Sequence, residues 1–345
     1  MYKLNHILLR ELLEKELKIL KLNDDSIKHV VNSLIDTSLR GVDSHGINLF
    51  PHYVNAIKNG RINKNPNFSY EKKTKAVAIL NADGAIGHHS GAVAIEEAIK
   101  LAKKYGISAI GVKNSSHFGA AAYFSLMASQ KNMLGFSFTN ADALVKVTNA
   151  KESFFGTNPI CFSAPMLDEE PLCLDMATSM ISWNKKNNYQ RENMLLEENW
   201  AYDIYGKTTL DPNKAKYLAP IGDYKGYGLG MMVDVLCAGL TNSIYSKDIL
   251  PMYSSDITKR REISHFFMVI DINSFLDSKI FESTLQTIAN RIRKLEKSGD
   301  KPVMIPGDPE KHTKKIRIKS GIPIDSEKFE EFLKINISFQ RCVIE

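Results

Sequence analysis

Histidine changes charge near neutral pH, so a histidine beside a hydroxyl or carboxylate is a natural site for proton transfer. Two such places stand out in this sequence of 345 residues. Arg40-Gly41-Val42-Asp43-Ser44-His45-Gly46 sets His45 in an Asp-Ser-His cluster between two glycines, the composition of a tight loop that presents side chains; the same residues also suit a helix C-cap with a polar surface. Asn114-Ser115-Ser116-His117-Phe118-Gly119 follows a strand-like run and precedes a helix-like one. His117 is therefore expected at the carboxyl end of a strand beside a helix N-terminus, whose partial positive charge lowers the imidazole pKa, and a neutral ring there can take a proton from an alcohol. An Asn/Ser-rich N-cap with an incidental histidine is the alternative.

Two further segments point to anions. In Leu174-Asp175-Met176-Ala177-Thr178-Ser179, behind Phe155-Gly156-Thr157-Asn158-Pro159, small and hydroxylated residues let backbone amides approach a phosphate or ribose, or else form a plain strand-to-helix turn. Tyr224-Lys225-Gly226-Tyr227-Gly228-Leu229-Gly230 opens an apolar helix with a lysine at its N-terminus, a poor place for helix stability and a good one for an anion. Met304-Ile305-Pro306-Gly307-Asp308-Pro309 reads as a turn. The glycines at 226, 228 and 230 miss the Rossmann fingerprint, whose third glycine would fall at Met231, and no phosphate loop, HExxH or GxSxG occurs. A nucleotide, if bound, is bound in another way.

Composition narrows the class. With 45 Lys plus Arg against 39 Asp plus Glu, 43% hydrophobic residues and four cysteines, the chain can bury a sizeable core without disulfide or metal. The +6 charge is dispersed. The densest basic stretches, 311 to 319 and Arg291, Arg293, Lys294 and Lys297, read as solvated faces, so no nucleic-acid partner is expected. Cys161, Cys173, Cys237 and Cys342 share no CxxC spacing and read as reduced and intracellular. The N-terminus is charged and helical in period, unlike a signal peptide, and the weakly polar run 226–240 carries Asp234 and is too short for a membrane span. A cytoplasmic protein is expected.

These motifs need elements to hold them. Leucines at helical spacing over residues 4 to 21, then Val30, Val31, Leu34, Ile35 and Leu39 behind N-caps at 24 to 26, predict two helices, followed by a polar connection through residue 75. From Lys75 the texture alternates: strands at 76–80, 107–112 and 134–138, helices at 93–106 and 121–130. Strands at 158–165, 171–177 and 265–272, a buried helix at 226–240 and an amphipathic helix at 278–297 follow, with 184 to 224 polar and irregular. The expected architecture is mixed α/β, with an N-terminal helical subdomain (1–74), an α/β cofactor-binding and catalytic domain (75–310) and a C-terminal segment (311–345) returning to the first.

In order, RGVDSHG, NSSHFGA, GTNPI, LDMATS, YKGYGLGMMVDVL and IPGDPE resemble the malate/L-lactate dehydrogenase family of the non-Rossmann type, over about residues 4 to 330. Met252-Tyr253 with HFFMVIDI is similar to its ureidoglycolate branch. The resemblance implies a non-Rossmann nicotinamide-binding fold, a homodimer, and reversible hydride transfer between NAD or NADP and a small 2-hydroxy or 2-oxo acid. By the same resemblance, His117 is the acid/base group, with His45 the proton donor in some members. Ser44, His45, Tyr53 and Asp142 line the substrate pocket. Asp175, Met176, Ala177, Lys225, Pro306, Gly307 and Asp308 contact the cofactor.

Two positions depart from the family. Many members carry an arginine four residues after the histidine of SHG, where it clasps the substrate carboxylate; here that residue is Leu49, leaving Arg40 or Lys146 to replace it or a different substrate to be used. Asn149-Ala150 stands where the family usually has two glycines. A non-catalytic or altered-specificity member that binds a dinucleotide or another carboxylate is the competing expectation.

Overall fold

The structure, a computed structural model, describes residues 1–254 and 256–344; the expected C-terminal segment thus ends in a residue outside the described ones. The helices are α1 (His6–Ile19), α2 (Asp24–Leu39), α3 (Phe50–Lys58), α4 (Gly87–Tyr105), α5 (Ala122–Ser129), α6 (Trp183–Arg191), α7 (Tyr224–Asp234), α8 (Ser278–Arg293), α9 (Asp308–Ser320) and α10 (Ser326–Ile335). The strands are β1 (Tyr2–Leu4), β2 (Ser69–Lys72), β3 (Val77–Asn81), β4 (Ile107–Ser115), β5 (Met133–Thr139), β6 (Val145–Lys146), β7 (Ser153–Phe155), β8 (Ile160–Ala164), β9 (Leu172–Met176), β10 (Ala201–Tyr202), β11 (Tyr217–Leu218), β12 (Ile263–Asp271) and β13 (Ile322–Ile324).

The first two helices are capped by Asn5 and Asn23, the second one position ahead of the caps expected at 24 to 26, which lie inside α2. Asn5 accepts from the Ile7 and Leu8 N–H groups, Asn23 accepts from Ser26 N–H, and Leu9, Leu13 and Leu17 of α1 are fully buried. Their core cluster continues through α3 and is joined by Ile322, Ile324, Phe329, Phe332, Phe339 and Cys342. β1 and β13 pair antiparallel beside it, Leu4 opposite Ile322.

A seven-stranded sheet forms the other main layer, in the order β2-β3-β4-β12-β5-β8-β9. Only β3 and β4 pair parallel within it, joined by α4. β4 and β5 also point the same way, but β12 is inserted antiparallel between them, with Phe267 opposite both Ile110 and Ser137. Alternation along the chain predicts α/β layering correctly; the late arrival of the central strand is invisible in it.

Three expectations are corrected. The connection after Leu39 contains a 3-10 turn, Ile47–Leu49, and α3, whose Pro51 sits in its first turn, where a missing N–H costs nothing. Segment 184–224 is not irregular: α6 and the short sheet β10-β11-β6-β7 enclose a core of Val145, Ile181, Leu196, Trp200, Ala201, Ala215 and Leu218. The basic stretches are not simply solvated. On α9, Lys311 is buried against Glu169, Lys314 pairs with Asp36 at 2.6 Å and Arg317 with Asp43 at 2.5 Å, while Arg293 of α8 bridges Glu169 and Asp308. Cations that look surplus in a linear count thus tie α8 and α9 to the chain that enters the site.

Candidate functional site

Three segments converge at one end of the sheet. The chain leaving β4 carries His117, the turn after α2 carries Ser44 and His45, and the first turns of α3 bring Tyr53. Gly41, at φ +86°, lets the chain turn out of α2. Gly87, the first residue of α4, packs directly on the backbone of Ser116 and His117: a Cβ there would lie 2.3 Å from the Ser116 carbonyl oxygen and 2.6 Å from that of His117.

The histidines are arranged face to face. His45 and His117 stack with ring centroids 5.7 Å apart and planes at 20°. His45 Nδ1 is 2.9 Å from Ser44 Oγ, and His117 Nδ1 is 2.7 Å from Tyr53 Oη. Burial holds the His117 imidazole well below its ordinary value, and the nearby His45, Arg261, His88 and His52 push it the same way. This differs from the helix-terminus expectation. α5 starts five residues beyond His117, after an Ala121 cap, and desolvation leads the shift. Burial alone brings His45 down to about 4, and it drives the Tyr53 phenol well up. Near neutral pH both imidazoles are uncharged and the phenol keeps its proton.

Beside these groups runs a cleft of about 500 Å³, lined by Ser44, His45, Gly119 to Tyr123, Thr157, Pro159, Asp175, Met176, Ala177 and Ile181 among others. Asp175 is exposed to the cleft near the end of β9. Desolvation raises its carboxyl to about 6, against the Ala122 N–H that donates to it at 2.8 Å. Gly307, at φ +95°, caps α9 and packs on β9; a Cβ there would lie 3.1 Å from Cys173 N. Pro306 accepts from that same N–H at 3.3 Å. Asp308 is committed to Arg293. Lys225 stands exposed in the first turn of α7 and makes no ion pair among the described residues.

The two proposed stand-ins for an arginine at position 49 are otherwise engaged. Arg40 reaches the cleft wall but gives Nε to Asp36 at 2.7 Å and Nη2 to Glu170 at 2.6 Å. Lys146 lies over the Tyr202 ring at 4.5 Å, in the small sheet. Leu49 is itself buried in the helical core.

Several contributors are not singled out for their side chains, although Asn158 lies in the GTNPI segment. Arg261, 3% exposed, is ion-paired with Asp142. Asn140 and Asn158 pin the loop that delivers Asp142: Asn140 Nδ2 donates to Asp234 at 3.0 Å, and Asn158 accepts from Ala141 N–H at 3.1 Å while donating to the Gly230 carbonyl at 2.9 Å. His88 is fully buried against Tyr53, ring centroids 4.9 Å apart. Only a buried, paired arginine just ahead of the apolar strand β12 distinguishes Arg261, and pairing is not visible in sequence.

Comparison with known proteins fits this arrangement. A family profile described as malate/L-lactate dehydrogenase matches residues 5–333. The chain is 34% identical over 323 residues to malate dehydrogenase of Pyrococcus abyssi, covering 90% of this chain and 88% of that protein. It is 31% identical to ureidoglycolate dehydrogenase (NAD(+)) of Escherichia coli O157:H7, with 93% and 92% covered. Among solved structures, sulfolactate dehydrogenase of Methanocaldococcus jannaschii superposes with a TM-score of 0.90 at 28% identity, over 98% of this chain and 97% of that one.

Proposed function

The chain belongs to the malate/L-lactate dehydrogenase family, and from that premise we propose that it is a 2-hydroxyacid dehydrogenase that moves a hydride between NAD or NADP and a small 2-hydroxy or 2-oxo acid. The observation that carries the reading is the Tyr53–His117 contact beside the stacked His45, next to the cleft that Asp175, Met176 and Ala177 line.

The cleft's chemistry fits a nicotinamide dinucleotide. Ala120, Ala121, Pro159, Met176 and Ile181 offer apolar surface for a flat ring, and Lys185 on the wall with Lys225 at the start of α7 offers cations for phosphates. When bound, the nicotinamide supplies the hydride acceptor or donor. Asp175, Met176, Ala177, Lys225, Pro306 and Gly307 would hold it; Asp308 would act by fixing the turn through Arg293.

The remaining work falls to the pocket. Oxidation of an alcohol leaves a hydroxyl proton, which His117 takes as general base. Tyr53 Oη and the Gly119 N–H both engage Nδ1, which orients the ring and leaves Nε2 without a partner among the described residues; in the reverse direction the protonated ring returns the proton. Ser44 and His45 orient the substrate oxygens, and Asp142 acts through Arg261. A base of this kind contributes about 100- to 10,000-fold in rate.

The proposal extends to organisation. Residues 1–74, 75–310 and 311–345 form the helical subdomain, catalytic domain and returning segment. The enzyme works in the cytoplasm as a homodimer: Tyr224, Met231, Met232, Val235 and Leu240 form an exposed apolar stripe along α7 and the turn beyond it, of a kind that a second copy would cover. Among the described residues no helix is long and apolar enough to cross a membrane.

The test is the near-ultraviolet absorbance of NADH and NADPH with a panel of 2-oxo acids. Consumption of either reduced cofactor is expected, and none across the panel would favour a non-catalytic binding protein.

A further inference from the structure

The guanidinium groups around the pocket differ in how fully they are engaged. Arg40 is shared between Asp36 and Glu170, and Arg317 is clasped by both oxygens of Asp43. Arg61 donates to the carbonyls of Met252 and Asp256 and to Ser254 Oγ. The Nε of Arg261 donates to the Leu250 carbonyl at 2.8 Å and one Nη2 hydrogen goes to Asp142, so three of its five N–H donors have no partner among the described residues. By the same count Arg40 also leaves three donors without a partner among the described residues, but two carboxylates balance it, whereas Arg261 has one.

Its neighbours are those of the reaction. His52, Tyr53 and His117 all feel the Arg261 charge, as does Arg61, whose own guanidinium is depressed first by burial and then by Arg261. Asp142 and the Leu250 carbonyl fix the plane of the guanidinium, which leaves its outer edge set for a planar carboxylate. Leu49, on the 3-10 turn that follows His45, can hold no second carboxylate.

We propose that Arg261 clasps the substrate carboxylate through its uncommitted N–H edge, held in place by Asp142, and that the substrate is a 2-hydroxy or 2-oxo monocarboxylate whose far end is uncharged. The proposal rests on the hydride-transfer reading and deepens it: one uncommitted guanidinium edge matches one carboxylate.

The experiment uses three probes on the full chain: 2-oxobutanoate, its methyl ester, and the dicarboxylate oxaloacetate, with calorimetric binding of oxamate, an unreactive monocarboxylate, as a readout that needs no turnover. The parent enzyme should favour 2-oxobutanoate over oxaloacetate by at least about tenfold in kcat/KM. Arg261→Gln should raise KM for 2-oxobutanoate and weaken oxamate by about 100-fold or more, while changing the ester by less than about threefold and cofactor affinity not at all. Equal oxamate affinity in parent and variant overturns the clasp, and preference for oxaloacetate overturns the substrate class. Arg261-dependent oxamate binding without any turnover would sink the hydride-transfer reading and leave the clasp standing. Should Arg261→Gln leave Asp142 too destabilised to fold, Arg261→Lys keeps the charge without the fork, and a KM rise under about threefold for 2-oxobutanoate counts against the proposal.

Discussion

Tyr53 Oη and His117 Nδ1 lie 2.7 Å apart, on residues 64 positions apart in the chain and in different layers of the fold. The contact decides which ring nitrogen faces the pocket. Because burial drives the phenol well up, it stays protonated and keeps its O–H in the contact with Nδ1, toward which the Gly119 N–H also points at 3.4 Å. Tyr53→Phe removes that hydrogen bond while keeping the ring that packs on His88. Turnover is expected to fall by about 10- to 100-fold with cofactor affinity unchanged. Steady-state kinetics beside a fluorescence titration of the cofactor checks this, and an unchanged kcat would remove Tyr53 from the orientation of the base.

His117→Ala deletes the base itself. Folding and cofactor binding should survive, and turnover should drop by at least about 100-fold. If kcat stays within a few-fold of the parent, His45 takes the proton and the roles exchange.

How far all this could be read beforehand depended on the kind of contact. His45 and His117 were legible because two polar-histidine clusters sit between apolar elements, and the α4 and β4 periodicities place the second cluster at a strand end. α3 was hidden by Pro51 and by the polar residues around it. Arg261 was hidden for a different reason: its meaning is its pairing with Asp142, 119 residues away, and long-range pairing has no local signature. Likewise Lys311 and Arg293 looked like surface charge because Glu169, their shared partner, lies in a distant loop.

The depressed His117 makes a statement about pH. In alcohol oxidation the base must be uncharged, and burial together with Arg261 and the neighbouring histidines keeps it so below pH 6.5. The rate kcat/KM for oxidation should be flat from about pH 6.5 to 8, its acid limb falling lower, whereas reduction should speed up as pH falls. A limb in the free enzyme centred at or above pH 6.5 would show that His117 is not held neutral in this way.

Stability should also depend on pH. His88 and His265 are fully buried, and desolvation lowers each to about 3, with other histidines nearby adding to the effect. Unfolded, they titrate near 6.5, so between pH 6.5 and 3 the unfolded state binds more protons and stability falls as pH falls. At pH 5 the two together cost roughly 4 kcal/mol relative to pH 7. Denaturant midpoints at pH 7 and 5 measure this. His265→Gln, able to keep contacts with Ser115 and Thr139, should flatten the slope, and an unaltered slope would mean the ring is not buried neutral.

Lys225 separates cofactor binding from chemistry. It lies in the first turn of α7, is exposed, and has no ion pair among the described residues. Lys225→Ala should weaken the dinucleotide by about tenfold, increasingly less so as salt rises, with little change in kcat at saturation. Equal affinity by fluorescence titration in parent and variant would take Lys225 out of the cofactor site.

Gly87 tests whether the backbone under His117 must be where it is. A methyl group at this position would sit 2.3 Å from the Ser116 carbonyl oxygen and 2.6 Å from the His117 carbonyl oxygen, both main-chain atoms that cannot rotate away. Relief therefore requires either α4 or the His117 loop to move. α4 packs through Ala94, Ile95 and Ala98 into the sheet core, so the loop is the softer side. Gly87→Ala should cost about 1 to 3 kcal/mol in stability, and the displaced imidazole should lower kcat by about tenfold or more, since small misplacements of a catalytic group are expensive. Gly299→Ala, where a Cβ meets nothing within 4 Å, serves as the control and should match the parent in kcat. The decisive comparison is kcat against cofactor affinity in Gly87→Ala. A loss of stability with kcat preserved would show that the helix yields and that His117 is held by Tyr53 alone.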